Sequence, residues 1–438
     1  MDAPLLILLV FFVLLTAIDL PVAVAIALAT LMATLSLADL PACYIVAQRM
    51  SIGIASFPLL AIPFFILAGE LMGRGGIARR LIDFSLALIP SRRGGLAYVN
   101  TITCMLFGAI SGSATAAVSS IGGIMIPEME RQGEDRRSAV ALTTTAATTG
   151  LLIPPSNIMI VYAVAAGNVS VAAMFAAGLL PGLLVGGAIL AVCALARRRA
   201  PLPRTTDRED DGSRFALGRI VSTGVRAAPG LSLVVLVLTG ILRGWFSATE
   251  ASAIAVLYAF LLAVVFYRTV RLRELPAILL RSGTMTGVVF LLIGTSQAMS
   301  WILTYENVPQ SVGEAMLDAS TSGIVILLMM NAILLLVGAV MDMTPAVLIF
   351  TPLFLPVAER LGVDPVHFGV MMVVNLCIGL CTPPVGTCLF VGCSVGRIGI
   401  AEAIRPMVPF LLAMLAALAL ITAWPAITLW LPGALGLD

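Results

Sequence analysis

Apolar residues fall along this chain in long unbroken runs, not at the helical spacing that leaves one face wet. A helix that crosses hydrocarbon needs about 20 such residues. The runs predict ten spans, at 4–19, 20–38, 55–73, 138–167, 171–196, 228–243, 246–267, 281–302, 366–396 and 404–432. Two further apolar stretches, 94–127 and 322–357, do not fit as single spans. The first carries Ser111-Gly112-Ser113 at its middle, and the second carries Met341-Asp342-Met343-Thr344-Pro345. Two half-length limbs joined by a polar tip predict a re-entrant hairpin, whose tip must be buried in protein or line a cavity. The expected fold is therefore an all-α polytopic membrane protein of about ten transmembrane helices plus two re-entrant hairpins.

Composition agrees. Of 438 residues, 60% are hydrophobic and 11% charged, less than half of the roughly 25% usual in soluble domains. The solvent of this chain is the lipid bilayer. The first apolar run lacks a basic leader and a second run follows at once, so both read as retained spans. All 25 basic residues are Arg, and they test the layout. With an external N-terminus and both hairpins returning to their side of origin, 74–93, 128–137, 197–227, 268–281 and 397–405 are cytoplasmic. These segments hold 22 Arg, leaving only Arg49, Arg243 and Arg360 elsewhere. Cytoplasmic loops carry such an excess. Counting either hairpin as a span would destroy the asymmetry. The N- and C-termini are then periplasmic, and the polar linker 197–227 divides two halves.

The halves repeat each other at a shift of 229 residues. Pro127, Glu130, Arg131, Gly133 and Asp135 fall on Pro356, Glu359, Arg360, Gly362 and Asp364. Gly150, Leu151, Pro154 and Pro155 fall on Gly379, Leu380, Pro383 and Pro384. Thr115 falls on Thr344 near the tips. By the Arg count, Arg131 is cytoplasmic and Arg360 external, which makes the repeats inverted, a common transporter plan.

Each half supplies one tip and one Pro-Pro pair in mid-span. Proline removes a donor and clashes with the preceding turn, so the helix must open there. Freed carbonyls suit a hard cation, and oxygen side chains stand beside both breaks. One cation site is expected from Ser111, Gly112, Ser113 and Thr115 with Pro154, Ser156 and Asn157; Thr148 and Thr149 lie close by. The second is expected from Asp342 and Thr344 with Gly379, Thr382, Pro383 and Thr387. The plainer reading is that Ser and Thr bond their own helix backbones. Asp342 resists it, because an acid at membrane depth is costly. Ser113, Asn157 and Thr387 are the candidate solute contacts. Opened helices expose N–H groups whose positive dipole ends can hold a carboxylate. With no Arg at that depth, helix ends and bound cations would have to neutralise an anionic solute. Glu70 and Glu250, near span ends, read as interfacial. Glu130, Asp135, Glu359 and Asp364 read as capping or ion-pairing residues. His367 is the sole histidine, and neither HExxH nor a Ser-His-Asp set occurs, so the chain is not read as an enzyme.

At Gly108 through Ala117, Leu152 through Ser156, Gly338 through Pro356 and Cys381 through Thr387, the chain resembles the large membrane subunit of tripartite ATP-independent periplasmic (TRAP) transporters. The likeness covers nearly the whole chain. It implies a bacterial inner-membrane secondary transporter driven by a sodium gradient and carrying an organic acid such as a dicarboxylate or sialic acid. It implies two protein partners, a small four-span membrane subunit and a periplasmic substrate-binding protein. It implies no organic cofactor and no nucleic acid. It also implies an elevator mechanism, as in the wider ion transporter superfamily.

In that reading 1–73 holds scaffold helices and 74–93 is a cytoplasmic arm. Residues 94–167 and 322–396 are the halves of the transport domain. The ranges 171–267 and 404–438 are scaffold, and 281–321 is the second repeat's helix with its external arm. The alternative is a stand-alone divalent-anion/sodium symporter needing no binding protein, which repeat architecture alone does not exclude.

Overall fold

The structure is a computed structural model and describes residues 3–37, 40–88, 95–199, 217–320 and 322–437. Residues 89–93 of the cytoplasmic arm and 200–216 of the linker lie outside the described residues. Every regular element described is helical.

In chain order these are α1 (Ala3–Ala17), α2 (Val22–Leu35), α3 (Ala42–Ile54), α4 (Ala61–Arg74), α5 (Ile77–Leu88), α6 (Gly95–Ser111) and α7 (Ala114–Arg131). Then come α8 (Arg136–Thr149), α9 (Asn157–Ala166), α10 (Val171–Arg199), α11 (Leu217–Leu242), α12 (Ala248–Phe260), α13 (Leu275–Tyr305) and α14 (Val308–Ala319). The last are α15 (Gly323–Gly338), α16 (Met343–Arg360), α17 (Pro365–Gly379), α18 (Thr387–Gly396), α19 (Ile400–Ala423) and α20 (Ala426–Leu435).

Among the described residues, six segments are long and apolar enough to cross a membrane: Phe57–Arg74, Val171–Ala196, Ile220–Leu242, Ala248–Phe266, Leu272–Tyr305 and Ile400–Ala423. The ten expected spans differ from these where helices break. The 138–167 span is α8 plus α9, and 366–396 is α17 plus α18, with a Pro-Pro pair opening each. Both pairs are cis. The 404–432 span divides at Trp424-Pro425 into α19 and α20. Helix α3 has no counterpart among the expected spans, because Gln48, Arg49 and Ser51 interrupt its apolar run.

The repeated P-x-x-E-R-x-G-x-D motif is a helix corner. Gly133 (φ +86°) and Gly362 (φ +76°) take the left-handed conformation that ends a helix, which glycine adopts without strain. The Glu134 N–H donates to Met129 O at 3.0 Å, and the Val363 N–H donates to Ala358 O at 3.0 Å. Two residues after each glycine, an aspartate caps the next helix. Asp135 accepts from Ser138 N, and Asp364 accepts from Val366 N at 2.7 Å. The bounds of α7 and α16 are 229 residues apart at both ends. Thr148 and Cys377, also 229 apart, touch each other, with Cys377 Sγ 3.4 Å from Thr148 O.

Packing sorts the helices into two groups. Helices α1–α3 pack together and along α13, α4 packs on α12 and α13, and α11 packs on α12; across the groups α13 also meets α16 and α4 meets α6. Helices α6–α10 pack with α15–α20. Helices α5 and α14 lie between them, α5 on α11 and α6, α14 on α13 and α16. Packing therefore joins α10, α19 and α20 to the group containing both tips, whereas the sequence reading gave 171–196 and 404–432 to the scaffold. The close fit of α10 explains why: Gly182 of α10 faces Ile153 and Leu152, which lead into the first break.

Other acids settle locally. Glu250 closes a capping box with Ser247, and Glu70 pairs with Arg281 at 3.2 Å and Arg74 at 3.9 Å. Both are specific contacts, more than the interfacial placement expected of them.

Glycine pairs bring backbones together at the base of each tip. A Cβ on Gly379 would lie 2.6 Å from Gly338 Cα, whereas one on Gly123 would meet nothing within 4 Å. Gly379→Val is expected to destabilise the protein by about 3 kcal/mol, the top of the usual overpacking range, because backbone has to move. Gly123→Ala is expected to leave the melting temperature in detergent unchanged or slightly raised. Equal melting temperatures for the two variants would contradict this packing.

Candidate functional site

The first tip is two residues long. Gly112 turns the chain with φ +62°, and Ser113 begins α7. Ser113 Oγ accepts from Ala116 N at 3.3 Å and lies 3.1 Å from Thr115 Oγ1. The Ser111 hydroxyl donates to Ser113 O at 3.3 Å. The tip stands on its own break: a Cβ on Gly112 would be 3.0 Å from Asn157 Nδ2. One turn earlier, a Cβ on Gly108 would be 2.7 Å from Gly150 Cα. The predicted residues Gly112 and Asn157 are therefore in contact.

At that break Pro154, Pro155 and Ser156 are buried. Ser156 Oγ and Asn157 Oδ1 are buried and have no hydrogen-bond partner among the described residues. Leaving such an oxygen unpaired costs about 1–3 kcal/mol. Thr148 and Thr149 take the plainer role, donating to Thr145 O at 2.9 Å and Ala146 O at 2.6 Å within their own helix.

The second tip is tied to its break through backbone. Val385 N and Gly386 N donate to Ala339 O at 3.0 and 3.2 Å. Thr387 Oγ1 is buried without a partner, matching the first break. Thr382, just past the end of α17, donates back to Ile378 O of that helix at 2.8 Å. Asp342 begins α16, is exposed, and makes no side-chain cap. Thr344 is half-buried one turn on. Pro383 is half-buried, while Pro384 and Val385 are exposed. The two sites thus differ: α10 covers the first break, and the second is open at its surface.

What the breaks offer is oxygen. Each combines unpaired side-chain oxygens with carbonyls of an interrupted helix, and such sets hold sodium or protons in transporters. Among the described residues no three His, Cys, Asp or Glu side chains come together. The donors left over are neutral hydroxyl, amide and carbonyl oxygens, with Asp342 the one nearby carboxylate. These fit a hard monovalent cation. Helices α9 and α18 also start at the breaks, so their N–H ends point out of them.

Sequence reasoning missed the polar ties beside the tips. Asn331 receives two bonds from the Asn375 amide, at 2.8 and 2.9 Å, joining α15 to α17. Asn100 Nδ2 donates to Thr143 Oγ1 at 2.6 Å, joining α6 to α8. Both amides stand within apolar runs, which is the signal that would have found them. Thr144 Oγ1 in α8 and Asn375 Oδ1 are further buried oxygens without partners among the described residues.

A bundle of apolar helices, opened at two proline pairs lined with oxygen, defines a multi-pass membrane transporter rather than an enzyme. Comparison with solved structures gives the same fold. The Alcanivorax borkumensis YdaH transporter superposes with a TM-score of 0.64 over 97% of this chain and 98% of that one, at 14% identity. The chain belongs to the DctM component family of the tripartite ATP-independent periplasmic transporters, whose pattern matches residues 9–427.

It is 45% identical to the uncharacterized protein YgiK of Salmonella typhimurium, over 98% of this chain and 97% of that one. It is 37% identical to the C4-dicarboxylate TRAP transporter large permease protein DctM of Rhodobacter capsulatus, over 90% of each. It is also 37% identical to the isethionate TRAP transporter permease protein DctMQ of Oleidesulfovibrio alaskensis, covering 98% of this chain and 66% of that one.

The unpaired oxygen at Ser156 gives a direct test. In sodium-free buffer Ser156→Ala is expected to leave stability unchanged or raise it by about 1 kcal/mol, because it deletes an unpaired group. Thermal unfolding of the purified protein reads this. A clear loss of stability would mean that Ser156 Oγ has a protein partner.

Proposed function

We propose that the protein is the large subunit of a sodium-coupled secondary transporter that imports a small organic acid across the bacterial inner membrane. The observation that carries this is the set of buried, unpaired oxygens at the two breaks: Ser156 Oγ, Asn157 Oδ1 and Thr387 Oγ1. Sodium at each break would satisfy them, and the bound charge would then favour an anion held by the helix N-termini of α9 and α18. Ser113, Asn157 and Thr387 are the proposed solute contacts. The named specificities of the relatives, a C4-dicarboxylate and isethionate, are both small organic acids.

The two halves are read as inverted repeats and the α6–α7 and α15–α16 pairs as re-entrant hairpins. The Arg distribution supports this, as does the contact between Thr148 and its mate Cys377, since a residue meets its own mate only near a symmetry axis. The group α6–α10 with α15–α20 would move as one body against α1–α4 with α11–α13, an elevator. Helices α5 and α14 would be its linking arms. The periplasmic binding protein and small membrane subunit are proposed partners. The greater length of the DctMQ relative is consistent with a small subunit fused there.

Uptake into proteoliposomes, with small subunit and loaded binding protein present, is expected to follow an inward sodium gradient. Uptake indifferent to sodium would contradict the coupling. Asp342→Ala and Ser113→Ala are each expected to lower sodium-dependent uptake about tenfold, the loss from one contact to a charged group. Membrane insertion should persist. Unchanged sodium activation in both variants would mean that the ions sit elsewhere.

Orientation has its own test. Cys43 is exposed and the other six cysteines are buried. A membrane-impermeant maleimide is expected to label Cys43 alone in spheroplasts with intact membranes. Labelling only after membrane disruption would reverse the topology.

A further inference from the structure

We propose that a cleft between α3, α9 and α13 is an outer reception site for the solute's carboxylate, with Arg49 as its cation and Gln297 as a hydrogen-bond donor. The inference rests on the organic-acid reading above. The cleft holds about 330 Å³ and is walled by Ile52, Gly53, Ser56, Ala163, Gly167 and Gln297, among others. A second cleft of similar size, between α4, α12 and α13, is lined by apolar side chains throughout. The polar side chains of the first cleft are Ser56 and Gln297, and Arg49 lies one helical turn beyond its lining.

Helices α3 and α13 run antiparallel where they form one wall. Arg49 and Gly53 are one turn apart on α3, and Trp301 and Gln297 are one turn apart on α13. A Cβ on Gly53 would lie 2.6 Å from Cβ and Cγ of Gln297, so the glycine is what lets Gln297 lie there. One turn outward, the Arg49 guanidinium sits over the Trp301 ring at 5.4 Å. That contact uses the guanidinium face and leaves its in-plane N–H edge free, the edge that fits a carboxylate. Arg49 is exposed and has no carboxylate within 4.0 Å among the described residues. Gln297 is half-buried, and neither it nor Ser56 makes a side-chain hydrogen bond among the described residues.

Position adds the rest. In the proposed topology Arg49 is one of three Arg outside the cytoplasmic segments, which would put the cleft on the side where the solute arrives. Its two walls belong to the two helix groups, α3 and α13 on one side and α9 on the other. Helix α9 ends at the cleft and starts at Asn157 of the first ion site, so its ten residues span about 15 Å between the two. The carbonyl end of α9 is an unfavourable wall for an anion. A site with one cation and one such wall receives its ligand and releases it.

The test uses the chain with its small subunit, with Trp245, Trp424, Trp430 and any Trp of the small subunit replaced by Phe, so that Trp301 alone emits. Titration with succinate is expected to change Trp301 emission saturably. Arg49→Gln should weaken this about tenfold, the loss of one charge-assisted contact, and Arg49→Lys should weaken it less. Arg49→Gln should also lower uptake at subsaturating loaded binding protein while its sodium dependence persists. No emission change in the parent, or an unchanged titration in Arg49→Gln, would overturn the site. An unchanged titration with altered dependence on binding protein alone would make Arg49 a protein-docking residue instead. If the parent takes up no organic acid, the transport reading fails separately, whatever the titration shows.

Discussion

A peptide group that loses its helical partner inside hydrocarbon has to find another. Two proline pairs force this condition on the chain, at Pro154-Pro155 and Pro383-Pro384. Around each, the structure shows what meets the demand. Glycines at 108, 150, 338 and 379 let backbones touch. The tip carbonyl of Ala339 takes up two break N–H groups. Asparagine ties hold α6 to α8 and α15 to α17. What is left after this accounting is a small set of oxygens at the breaks, and those are the chemistry the protein has to offer.

The two breaks are related in sequence but not equally covered. Helix α10 lies against the first, and Pro154, Pro155 and Ser156 are buried. At the second, Asp342, Pro384 and Val385 are exposed. Related sites with unequal cover suit a carrier, which must hold its solute between two bodies and open it to one side at a time. In the proposed elevator the two packing groups would be those bodies, with α13 as the spine of one and α8 with α17 at the centre of the other.

Much of this was legible in the sequence because glycine and proline mark positions where the backbone must depart from a helix. Ser111-Gly112-Ser113 and Met341-Asp342-Met343-Thr344-Pro345 were readable as interruptions for that reason, and the Pro-Pro pairs as breaks, although Met343, Thr344 and Pro345 already belong to α16. The repeated Gly133/Asp135 and Gly362/Asp364 corners were readable as capping, which the structure shows in detail. Helix α3 was not legible, since Gln48, Arg49 and Ser51, all exposed, interrupt its apolar run. The placement of α10 and α19 was hidden as well. An apolar helix looks alike whichever body it packs on, and the glycines that fit α10 to the first break have meaning only once the partner is in place. Nor could spacing separate Thr148 and Thr382, which bond their own helices, from Ser156 and Thr387, which do not.

The central claim is that each break holds one sodium ion. Equilibrium binding of radioactive sodium to the purified protein, alongside Asn157→Ala and Thr387→Ala, tests it most directly. The account predicts that each variant loses one ion relative to the parent and that the double variant loses both. A parent that binds no sodium, or variants that bind as the parent does, would contradict it.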